Sequence, residues 1–121
     1  MSHDNKKELM VQFCIAYCGI LGKHKLCSTS RTGKLVADST GLKISRFLSG
    51  SHGGCEQIAS RIACNEIDLL LFFRDPMNQN PDYDYTTLLR LCDVQKIPLS
   101  TNTSSAKIML EGLKNGIYFN D

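Results

Sequence analysis

Apolar residues recur at helical spacing from Asp4 to about Leu21, through Leu9, Met10, Phe13, Cys14, Tyr17, Cys18 and Leu21. This predicts an amphipathic helix, with Asp4 placed to cap its start and Gly22 its end. A short strand is expected around Lys25 to Ser28, then a polar turn from Thr29 to Gly33 and a short helix closing at Thr40-Gly41. Leu42 to Leu48 alternates as a second strand, and the glycine-rich stretch Ser49 to Gly54 is a loop whose backbone can approach a ligand closely. That loop opens a helix carrying Ile58 and Ile62 on one face.

Ile67 to Phe73 is an almost unbroken apolar run bounded by Asp75-Pro76, which suits a parallel strand buried on both faces. A loop rich in Asn, Asp and Pro leads to a helix from about Tyr85 to Val94, followed by a strand at Ile97 to Ser100 and a helix near Ser104 to Leu113. Strands alternating with helices argue for an α/β fold: a three-layer arrangement of a mostly parallel sheet flanked by helices, with its ligand crevice beyond the carboxyl ends of the strands. The chain shows no internal repeat or linker, so residues 1–121 are expected to form a single domain.

Composition narrows the function more than the fold. The net charge of +2 gives no general case for nucleic acid or a membrane surface, so any anion site must be local. No apolar stretch is long enough to span a bilayer, and MSHDNKKEL lacks the apolar centre of a signal peptide; the expectation is a cytoplasmic protein. The six cysteines form no CxxC pair, which disfavours a metal site, and Cys14 and Cys18 are expected as small buried hydrophobes.

Three polar segments follow strands and should meet at one sheet edge: Thr29-Ser30-Arg31-Thr32-Gly33, Ser49 to Gly54, and Asn102-Thr103-Ser104-Ser105. Hydroxyls, unpaired N–H groups at helix N-termini and a nearby cation together suit a phosphate, with Lys7 and Arg31 as the nominated cations. The same residues also serve as ordinary caps and turns.

The order Thr32-Gly33-Lys34-Leu35, Ser39-Thr40-Gly41-Leu42, Phe47-Leu48-Ser49-Gly50, Gly53-Gly54, Gln57-Ile58, Ile67 to Pro76 and Leu88 to Cys92 resembles the methylglyoxal synthase family over roughly residues 3 to 113. The resemblance implies a hexameric, cofactor-free lyase that converts dihydroxyacetone phosphate to methylglyoxal and phosphate. It also implies that Lys7, Thr29, Thr32, Ser49 and Gly50 hold the substrate phosphate and that His3 and Asp75 match active-site positions; Ser30, Arg31, His52, Gly53 and Gly54 are further ligand-binding candidates from the chain's own loops.

The sequence departs from the family in its catalytic half. Cys55 stands where the family has an aspartate base, with Glu56 beside it but about 100° away around a helix. Asp82 takes the place of a histidine acid, and Tyr85 that of a supporting aspartate. Arg31 replaces a threonine of the phosphate cradle, which would favour a ligand with more anionic groups. His52 is new to its loop.

From these departures the sequence leads to the expectation of a non-catalytic binder, a homo-oligomer that sequesters or senses a phosphorylated small molecule such as a nucleotide signal in a phage-infected cell. The alternative is a working methylglyoxal synthase in which Cys55 or Glu56 replaces the aspartate. The family's first strand is also expected to be missing, since only Met1 and Ser2 precede His3, and Ile117 to Phe119 is a candidate substitute.

Overall fold

The computed structural model describes residues 1–49, 52–77 and 85–116. Its elements run in the expected order: α1 (Lys7–Ala16), α2 (Cys18–Leu21), β1 (Leu26–Ser28), α3 (Ser30–Thr40), β2 (Ile44–Arg46), α4 (Gly54–Ala63), β3 (Leu70–Leu71), α5 (Tyr85–Gln95), β4 (Leu99–Ser100) and α6 (Thr103–Lys114). The fold is α/β. β1 pairs with β2 and β3 with β4, both in parallel, so among the described residues the sheet comprises two short parallel pairs.

Met1 to His3 runs beside β3. Phe73 donates its N–H to the Met1 carbonyl at 3.0 Å, His3 donates to the Phe73 carbonyl at 3.0 Å, and Ser2 forms a parallel bridge with Phe73. The Met1 ammonium donates to the Leu71 carbonyl at 2.9 Å, and burial lowers its pKa to about 6. The Leu71 carbonyl and both backbone groups of Phe73, which a missing first strand would leave without partners, are therefore satisfied by the first three residues. The proposed substitute, Ile117 to Phe119, lies outside the described residues.

Successive residues at the end of the β3 run point to opposite faces, and each anchors its own core. Phe72 packs with Cys55, Ile58, Ile62, Leu88 and Cys92 from α4 and α5. Phe73 packs with Met10, Phe13, Val36, Ala106 and Leu110 from α1, α3 and α6. Helices thus cover both faces, which is why the run reads as continuously apolar.

The first helix differs from expectation. It breaks at Tyr17, whose φ of −111° and ψ of 17° lie outside the helical region, and Cys18 is consequently exposed while Cys14 is buried. Asp4 does not cap it: the residue begins a 3-10 turn (Asp4–Lys6), and its carboxylate is drawn to Lys7 and Arg31 instead.

Candidate active site

Parallel pairing puts the carboxyl ends of each strand pair on one edge, and the segments that follow β1 and β2 are joined there at Ser30 and Leu48. Thr29 is extended, and the expected polar turn after it is the first turn of α3. The first N–H groups of a helix have no intrahelical acceptor. That of Ser30 donates to the Leu48 carbonyl at 3.3 Å, tying α3 to the glycine loop. Thr29 makes no side-chain cap bond and is buried along with Thr32.

Lys7 is the main cation of this edge. It is only 7% exposed, with Nζ donating to the Ser2 carbonyl at 2.8 Å and to Thr32 Oγ1 at 3.3 Å, and with Asp4 Oδ1 at 3.4 Å. Burial holds its pKa below the ordinary lysine value, with Asp4 opposing that shift. Desolvating an ammonium is costly, and the single carboxylate beside it is largely exposed, so an anion entering here gains a strong partner. Arg31 lies at the rim, 68% exposed, reaching Asp4 at 3.5 Å.

The glycine loop is fastened to α4. The Ser49 carbonyl accepts from the N–H groups of His52 at 3.0 Å and Gly54 at 2.8 Å, while Leu48 donates its N–H to Gln57 Oε1 at 2.7 Å. A Cβ on Gly54 would sit 2.1 Å from the Leu48 carbonyl oxygen, and Gly53 has φ of 104°, so neither position accepts a side chain in this conformation. Ser49 Oγ lies 2.6 Å from His52 Nδ1. Gly50 lies outside the described residues, as does Asp82.

His3 is buried, edge-on to Phe72 at 5.2 Å between ring centroids. The backbone N–H of Asp75 donates to His3 Nδ1 at 2.9 Å, so Nδ1 must be unprotonated and the neutral ring carries its hydrogen on Nε2. Burial lowers its pKa, and the Arg74 guanidinium lowers it further. The Asp75 carboxyl is held below its ordinary value by the N–H of Met77 at 3.0 Å and by the Asn5 amide at 2.8 Å.

A pH dependence follows from His3. Its folded-state pKa lies below the ordinary value of about 6.5, so the native state takes up its proton later than the unfolded chain as pH falls. Stability is therefore expected to drop on acidification through the window from that ordinary value down to the native one. A His3→Asn variant, which keeps an acceptor for Asp75, should show a flatter melting temperature against pH over that window.

At the start of α4, Cys55 is 2% exposed and Glu56 is exposed, as the helical rotation between them requires. The third polar segment bonds within itself: Asn102 Oδ1 caps α6 by accepting from the Ser105 N–H at 3.0 Å, and the Ser100 and Ser105 hydroxyls meet at 2.6 Å. It is a cap, as its composition allowed.

Sequence reasoning missed two residues here. Ser2 is fully buried, with its hydroxyl 3.2 Å from Thr32 Oγ1. Arg74 stacks 3.7 Å over the Tyr85 ring, with Nε buried and unpartnered among the described residues. Neither carries a local signal, because both depend on contacts distant in sequence; a cation directly ahead of Asp75 was the only clue.

The fold and this edge define an α/β protein whose strand ends, buried lysine and neutral histidine suit a small anionic ligand. The family profile of the MGS-like domain matches residues 10–101, and the chain belongs to that family. It is 51% identical to methylglyoxal synthase of Caldicellulosiruptor saccharolyticus, over 96% of this chain and 83% of that one. It is 48% identical to methylglyoxal synthase of Lysinibacillus sphaericus, over 96% and 87%. The crystal structure of methylglyoxal synthase from Elizabethkingia anophelis NUHP1 superimposes with a TM-score of 0.86 at 37% identity, covering 91% of this chain and 73% of that one.

These comparisons correct the expectation of a non-catalytic, nucleotide-sequestering protein. Half-identity to chains named methylglyoxal synthase favours the active-enzyme reading. Of Arg31 and His52, on which the nucleotide idea leaned, Arg31 lies exposed beside Asp4 and His52 lies against Ser49. No helix among the described residues is long and apolar enough to cross a membrane.

Proposed function

We propose that this chain is a methylglyoxal synthase, converting dihydroxyacetone phosphate to methylglyoxal and inorganic phosphate without a cofactor. The observation that carries the reading is the desolvated Lys7 ammonium beside Thr32, within hydrogen-bonded reach of the residue before His3. Lys7, Thr29, Thr32, Ser49 and Gly50 hold the phosphate in this reading.

A base removes a proton from the hydroxymethyl carbon, and the C–H electron pair forms the enediolate double bond while the carbonyl pair moves to oxygen. His3, neutral with its hydrogen on Nε2, donates to the oxygen where that charge develops. The terminal hydroxyl of the enediol then gives its proton to the departing phosphate, its O–H pair becomes the aldehyde carbonyl, and the enediol double bond shifts to the methylene carbon as the carbon–oxygen bond to phosphate breaks with its electrons, releasing phosphate and the enol of methylglyoxal. Protonation of the enol at its methylene carbon gives the product.

The base is Cys55 in this scheme. It occupies the second position of α4, at the helix N-terminus and at the position the family gives to its base, whereas Glu56 is rotated to the exposed side. The chain works as a homo-oligomer in the cytoplasm. Saturable release of phosphate from dihydroxyacetone phosphate, competitively inhibited by inorganic phosphate, is the expected behaviour; no release above the spontaneous rate would reject the assignment.

A further inference from the structure

The loop that carries Ser49 has its backbone fixed at several points. The Leu48 N–H and carbonyl are both engaged, and the Ser49 carbonyl accepts two N–H groups. What this leaves undetermined is the Ser49 hydroxyl, which can rotate about its own bonds. A phosphate offers only acceptors at its charged oxygens, so the hydroxyl helps to bind it only when its single hydrogen points at the ligand. Pointed elsewhere, it presents lone pairs to an anion.

His52 Nδ1 lies 2.6 Å from Ser49 Oγ, close enough for one strong hydrogen bond. We propose that His52 is a positioning residue for phosphate: its Nδ1–H donates to Ser49 Oγ and thereby directs the serine hydrogen to the ligand. This inference rests on Ser49 being part of the phosphate site. His52 acts through the serine.

The same arrangement states which substitutions preserve it. Asparagine places an amide N–H near the position of Nδ1, whereas leucine keeps bulk and removes the donor. Because Ser49 would hold phosphate equally in the bound substrate and in the transition state, loss of His52 should raise KM and leave kcat nearly unchanged.

Calorimetric titration with inorganic phosphate tests this on the full chain, comparing wild type, His52→Leu, His52→Asn, Ser49→Ala and the Ser49→Ala/His52→Leu double variant. The expected result is about 3- to 10-fold weaker binding for His52→Leu, the scale of ordering one polar side chain, and binding within about twofold of wild type for His52→Asn. In the Ser49→Ala background, His52→Leu should cause no further loss. Unchanged affinity in His52→Leu would overturn the proposal. So would an equal loss in the Ser49→Ala background, or a wild type that binds no phosphate. A wild type with this His52-dependent phosphate affinity but no methylglyoxal formation would reject the lyase assignment and leave the role of His52 standing.

Discussion

Replacing Cys55 by alanine is expected to lower kcat for methylglyoxal formation by about 10²- to 10⁴-fold, the usual contribution of a positioned general base. The substitution removes one small buried side chain at the start of α4, so the fold should persist with phosphate affinity close to that of wild type. Cys55→Asp should restore turnover, because a carboxylate takes the same proton and has less tendency to act as a nucleophile than a thiolate. Steady-state kinetics of both variants, together with phosphate titration, check this. An alanine variant as fast as wild type would remove Cys55 from the mechanism.

Lys7→Met should have a comparable effect by a different route. It takes away the buried ammonium that contacts Thr32 Oγ1 at 3.3 Å, so both phosphate binding and kcat/KM should fall by about 10²- to 10³-fold, as on loss of one partner from a buried charge pair. Stability should respond much less. Lys7 is desolvated in the native state, with its pKa held down by burial, and a methionine of similar length avoids that cost while giving up two hydrogen bonds. Binding and rate should therefore collapse while the melting temperature stays near that of wild type. A parallel loss of stability would instead make Lys7 chiefly a structural residue.

Much of the fold was legible because the helices are amphipathic and their stops are chemical. α3 ends at Thr40 ahead of Gly41, and α4 buries Ile58 and Ile62 as their spacing requires. The break at Tyr17 was not, since the apolar spacing runs on through it to Leu21 and the nearest glycine, Gly19, comes two residues later. Strand lengths were also overestimated: the run from Ile67 to Phe73 is largely apolar because helices cover both of its faces, yet among the described residues the register with β4 covers Leu70 and Leu71, with Phe72 adding an N–H bond to the Ser100 carbonyl.

The site was legible in part. Its loops could be placed at one edge because the strands are parallel, and the opposite exposure of Cys55 and Glu56 follows from helical rotation. The contact of Lys7 with Thr32 and the bond from Asp75 to His3 join residues distant in the chain, and local pattern says nothing of them. The functional expectation failed for a related reason. It weighted Cys55 and the loop at 82–85 above the many positions shared with the named synthases, although one residue's chemistry depends on neighbours the sequence does not display.

The most direct measurement is simultaneous quantitation of methylglyoxal and inorganic phosphate after purified wild-type protein is mixed with dihydroxyacetone phosphate. The account predicts equimolar appearance of the two products at a rate proportional to enzyme concentration and lowered by about 10²- to 10³-fold in Lys7→Met. Binding of the triose phosphate with neither product formed faster than in buffer would contradict it.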